Sequence, residues 1–159
     1  MSFLNWLEHS SLITTISGSP WLYPAIEVLH FFSFFVLVGT MAIVDLRLLN
    51  VAAKKRPLRE VADLLLPWTW LALGLATLTG FLMFATEATG FVANTQFQIK
   101  MAVFLGAVIF VLIVQRIARR SDPSTAPTIL AKVAAGISLA LWIGVILAAT
   151  EIANYSGLG

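Results

Sequence analysis

Residues 21–44 read WLYPAIEVLHFFSFFVLVGTMAIV, an apolar run broken by one carboxylate, Glu27, and one imidazole, His30. A helix needs about 20 mostly apolar residues to cross the hydrocarbon core of a bilayer, and this run supplies them. Inside it, His30 is the residue with chemistry. An ionisable group at membrane depth is costly to hold and marks a functional site by default. Imidazole is also the commonest metal ligand and a standard axial ligand of haem iron.

The rest of the chain agrees with a membrane setting. Of 159 residues, 59% are hydrophobic and 11% charged, and the mean hydropathy is +0.92. Soluble domains carry about 25% charged residues, so this chain has too few to cover a water-facing surface. Its net charge of +2 does not point to nucleic acid, because the basic residues fall in two short loops between apolar runs. With no cysteine, disulfides, thiolate metal sites, c-type haem attachment and cysteine-ligated iron–sulfur clusters are excluded.

Four segments are expected to span: about 21–49, 64–85, 97–115 and 129–152. In lipid every backbone polar group must be satisfied within the protein, which leaves helices or closed barrels. These runs are too long and continuous for barrel strands. The expected fold is all-α, an integral membrane four-helix bundle over residues 21–159, preceded by a short interfacial helix within residues 1–20. That first segment lacks Lys and Arg and is broken by Asn5, Glu8, His9, Ser10 and Ser11, unlike a signal peptide. Its apolar residues, among them Phe3, Leu4, Trp6, Leu7, Leu12 and Ile13, suit a helix lying on the membrane.

Arg47, Lys54, Lys55, Arg56 and Arg59 lie between spans one and two, and Arg116, Arg119, Arg120 and Lys132 between spans three and four. The positive-inside rule places both loops in the cytoplasm and both termini outside, in a bacterial inner membrane. Asp45 is expected to pair with Arg47 or Arg59, and Glu60 and Asp63 to form salt bridges within the basic loop. Pro67 falls early in span two, where a missing amide donor costs little. Ala72, Ala76 and Gly80 in span two, and Gly136, Ala140, Gly144 and Ala148 in span four, form small-residue stripes that permit close helix approach. They serve either the bundle itself or, in span four, a homo-oligomer. Trp142, mid-span, faces lipid, fills the bundle or backs a flat cofactor.

Span one places His30 about 13 Å inward from Trp21, in the outer half of the membrane. Glu27 lies one turn nearer the surface on the same face. The other spans bring Met83, Lys100, Met101 and Glu151 to the same layer. Three chemistries suit these groups. In the first, haem b takes His30 as axial ligand and Met83 or Met101 as a second, Lys100 meets a propionate and Glu27 orients the imidazole. In the second, copper is held by His30, Met83 and Met101. The third is a carboxylate-bridged metal, since Glu27 and His30 form one Glu-x-x-His element where di-iron bundles use two. The non-catalytic alternative is that His30 only ties helices together. His9 is expected on the surface.

The pattern Tyr23-Pro24-Ala25-Ile26-Glu27-Val28-Leu29-His30, then Gly39 and Asp45-Leu46-Arg47-Leu48-Leu49, resembles a family of uncharacterised bacterial four-helix membrane proteins. Pro67-Trp68, Thr79-Gly80 and Phe97 to Lys100 continue it, so the resemblance runs from Trp21 to Glu151. More distantly, the layout is similar to the haem-containing membrane protoporphyrinogen oxidases and to the membrane domain of copper-resistance protein D. The first of these implies that His30 carries a haem. The oxidases have further His residues near the end of span one and in span three, which this chain lacks. That departure counts against porphyrinogen oxidation, while the resemblance still implies haem binding through His30. The expected function is electron transfer, or a redox step with quinone or a redox protein. A copper-handling protein and a structural or assembly subunit are the alternatives. A transporter is disfavoured because the spans are few and show no internal repeat.

Overall fold

The structure, a computed structural model, describes residues 3–121 and 126–155, except for the side chains of 151–155. Its elements are α1 (Phe3–Glu8), α2 (Ser11–Gly18), α3 (Leu22–Leu48), α4 (Leu58–Ala85), α5 (Ala88–Ala93), α6 (Thr95–Arg120) and α7 (Ile129–Tyr155). α3, α4, α6 and α7 are long and apolar enough to cross a membrane. At 27 residues, α3 extends about 40 Å.

α3 packs along α4 and α6 along α7, and the two hairpins meet through α3 against α7 and α4 against α6. The core takes residues at helical spacing from each: Leu37, Met41, Val44 and Leu48 from α3, and Ala107, Val111, Val114 and Ala118 from α6. The opposite faces are as apolar as the core. Phe32 and Phe35, for example, are exposed, the surface expected of helices in contact with lipid. Trp142 fills the bundle at 1% exposure, with Phe34 and Phe104 edge-on to its ring at 6.2 and 6.4 Å.

The two small-residue stripes behave differently. Ala72 and Ala76 of α4 are buried and let α3 approach. In α7 a Cβ on Gly144 would meet Val103 at 3.3 Å, whereas Gly136 has open space around it and Ala140 is exposed. The core face of α7 runs instead through Ala131, Ala135, Ser138, Trp142 and Val145.

Three local features differ from the sequence expectation. α4 begins at Leu58, six residues before the apolar run, because Arg56–Glu60 at 2.9 Å and Arg59–Asp63 at 3.8 Å pair along its first turns. These pairs are the salt bridges expected of Glu60 and Asp63. Pro67 consequently lies in the helix interior, not near its start. The N-terminal segment is two helices, not one, and it folds back over the end of the bundle. Ile13 and Ile16 are buried there with Ala85, beside Tyr23 and Leu82, while Phe3, Trp6 and Leu12 stay exposed. The fold-back is fastened by Glu8, whose Oε1 accepts from Thr89 N at 2.6 Å and Thr89 Oγ1 at 2.7 Å. Glu8 thus caps α5 from 81 residues away in the chain. α5 itself was not foreseen.

Candidate functional site

His30 lies near the end of the bundle covered by α1 and α2. Its Nδ1 is 3.0 Å from Ala76 O and 3.1 Å from Thr79 Oγ1 on α4. A carbonyl oxygen only accepts, so Nδ1 carries the proton, the assignment following from its partners. The Thr79 hydroxyl proton is committed to Leu75 O at 2.7 Å, which leaves its oxygen to accept as well. A neutral imidazole in this tautomer holds a lone pair on Nε2, and Nε2 has no hydrogen bond among the described residues.

The sequence of α4 explains why the ring fits. The Ala72, Ala76, Gly80 stripe lets a backbone carbonyl reach the imidazole. A Cβ at Gly80 would stand 2.9 Å from His30 Cε1 and 3.3 Å from Nδ1, so the ring rests directly on glycine backbone. One turn along α3, Ser33 is buried and bonds Leu29 O and His30 O at 2.8 and 2.9 Å, using up its own hydroxyl.

The other expected site residues are placed unequally. Lys100 of α6 is half-buried and has no ion pair among the described residues. Glu27 does not bond His30. The acceptor role expected of it is filled by Ala76 and Thr79, because the helix packed against the ring offers better-directed partners than a residue one turn earlier on the same helix. Met83 is half-buried on α4, one turn beyond Gly80. Met101 is 44% exposed, on the outward side of α6. His9 is exposed, as expected, with Nδ1 2.8 Å from Asn5 O. The side chain of Glu151 lies outside the described residues. No group of three or more His, Cys, Asp or Glu that could hold a metal ion occurs among the described residues, so the carboxylate-bridged centre has no support.

A second buried polar group lies at the opposite end of α3. Asp45 is 0% exposed, and neither of its oxygens has a hydrogen-bond partner among the described residues. The expected pairing with Arg47 or Arg59 does not form. Arg47 Nε donates to Arg56 O at 2.9 Å, and Arg59 is engaged with Asp63. Residues two apart on a helix face different directions, so Arg47 could not share the Asp45 face. Across the α3–α7 seam, Ser138 Oγ is close enough to interact with Asp45 but not in hydrogen-bonding geometry. The signal for this burial was present in the sequence, since Leu37, Met41, Val44, Asp45 and Leu48 share one helical stripe.

A family model matches residues 3–156. The chain belongs to the DUF6644 family, a family of unknown function. No curated protein and no solved structure matches it. The DUF6644 match takes in α1, α2 and α5 as well as the four long helices, so the folded-back N-terminus belongs to the same unit as the bundle.

Proposed function

We propose that the protein is a membrane b-type haem-binding protein with His30 as axial ligand, acting in electron transfer or in a redox step with a membrane-soluble partner such as quinone. One observation carries this reading: the Ala76 carbonyl and Thr79 hydroxyl hold Nδ1–H, which leaves Nε2 as a fixed, unpaired donor. Ligating histidines are typically held this way, with the second nitrogen donating to a carbonyl that sets tautomer and ring direction.

The residues present fit such a group. Bound haem would supply a one-electron couple at the iron. The chain's own residues do the rest. His30 supplies the donor, and Gly80 leaves room for its ring. The Lys100 ammonium is placed to attract a propionate. Phe31, exposed, stands edge-on to the His30 ring at 6.1 Å and adds apolar surface beside it. Ala76 and Thr79 occupy the Nδ1 side of the ring, so His30 would hold the group through Nε2. By the positive-inside rule this end faces outside, in a bacterial inner membrane with both termini external.

Copper held by His30, Met83 and Met101 is the weaker alternative, since Met101 points away from the bundle. In a non-catalytic structural or assembly subunit, the bonds to Ala76 and Thr79 would serve only to join α3 to α4. A pyridine haemochrome assay and elemental analysis of protein purified in detergent, expressed with ample haem supply, separate the three. About one haem per chain supports the proposal. Copper without iron selects the second reading, and colourless, metal-free protein the third.

A further inference from the structure

At the end of the bundle opposite His30 a cavity of about 540 Å³ opens between the start of α4, the end of α6 and the start of α7. Arg47, Arg59, Arg116 and Arg120 line it, and among the described residues no carboxylate does. Arg116 and Arg120 have no ion pair or hydrogen bond among the described residues. Among the described residues Arg47 Nη1 is buried without a partner, and Arg59 has only the 3.8 Å contact to Asp63. Guanidinium groups converging on one cavity repel each other unless an anion sits among them.

Topology alone does not account for this arrangement. Charge near the membrane surface is also provided by Lys54, Lys55, Arg119 and Lys132, none of which lines the cavity. The cavity takes four of the six arginines and none of the lysines. Arginine presents a planar fork of donors that matches phosphate oxygens, which lysine does not. The N-terminus of α7 adds to the field: Thr128 lines the cavity and accepts from Ala131 N at 3.2 Å, at the positive end of a 27-residue helix. Leu58, Ile113 and Ile117 complete the wall, so the site pairs an anion clamp with an apolar surface.

We propose that this cavity binds a phosphate group carried on an amphiphile, as in the headgroup of an anionic phospholipid. Basic pockets between membrane helices take such headgroups. The site lies at the other end of the bundle from His30 and stands or falls independently of the haem proposal.

The test is native mass spectrometry of protein released from mixed phosphatidylglycerol and phosphatidylcholine micelles, with titration of inorganic phosphate as a second arm. Selective retention of one phosphatidylglycerol per chain is expected. The Arg116→Gln/Arg120→Gln variant should weaken it about tenfold or more, the scale of losing charge-assisted hydrogen bonds. Arg119→Gln/Lys132→Gln, which removes the same charge outside the cavity, should leave it unchanged. If inorganic phosphate displaces the lipid through the same two arginines, the phosphate site stands and its natural ligand is a soluble phosphorylated compound. Equal weakening by both double variants, or no retention of either anion, overturns the proposal.

Discussion

His30 and Asp45 lie on the same helix, fifteen residues apart, or about 22 Å, and the protein treats them in opposite ways. His30 meets α4 where small residues expose a carbonyl and a hydroxyl, and its Nδ1 is satisfied by both. Asp45 meets α7 where Ser138 and Trp142 are the polar residues at the seam, and both its oxygens are left without a bond. Burying a polar group costs free energy unless it is hydrogen-bonded. At the His30 end one imidazole nitrogen is fixed and the other has no hydrogen bond among the described residues. The Asp45 end carries an uncompensated group, a cost the bundle absorbs through the packing around it.

The largest effect should come from the residue that joins these two regions. Trp142 is wedged between Phe34 and Phe104 at 1% exposure. Trp142→Ala should cost about 3–5 kcal/mol, measured by reversible unfolding in mixed micelles. A loss under about 1 kcal/mol would mean that the bundle centre is loosely packed and that the two ends do not depend on a shared core.

The two ends should then respond oppositely to single substitutions. Gly80→Ala places a methyl 2.9 Å from His30 Cε1 and should cost about 1–3 kcal/mol through overpacking, with the imidazole displaced from Ala76. Gly74→Ala on the same helix, where a Cβ meets nothing within 4 Å, serves as its control. Asp45→Val removes a buried carboxyl with no hydrogen bond among the described residues and should raise stability by about 1–3 kcal/mol. Were it strongly destabilising instead, the carboxylate would have a partner in the membrane, and the contrast between the two ends would fail.

The smallest effect concerns the N-terminal tether. The Thr89 amide first, and then its hydroxyl, hold the Glu8 carboxyl below the usual carboxylate range. A group with a depressed folded pKa stabilises above its unfolded value, and that contribution is lost as pH falls through the folded one. Protection of the Thr89 amide from hydrogen exchange should therefore persist through the ordinary carboxylate range and fall below it. Glu8→Gln should abolish this pH dependence while leaving α3, α4, α6 and α7 intact.

Much of this was legible in the sequence, and the gaps have physical causes. The four long helices follow from run length and hydropathy, and the cost of an imidazole in hydrocarbon singles out His30. The partner of His30 was not visible because it is chiefly a backbone carbonyl, and Ala76 carries no side-chain signal for one. The Thr79-Gly80 pair was noted as a pattern, but its role appears only once the ring is seen resting on it. Arg47 suggests a partner for Asp45 because it is near in sequence, yet it lies on another side of the helix. The extension of α4 was missed because Arg56, Arg59, Glu60 and Asp63 read as loop charges, whereas their spacing of four lets them pair on a helix.

The central claim is that His30 Nε2 ligates haem iron, and replacing the side chain while supplying its ring in solution tests it most directly. His30→Gly should purify without the Soret absorption of the wild type, and added imidazole should restore that band by occupying the vacated space. Equal haem content in wild type and variant, or none in either, would contradict the account.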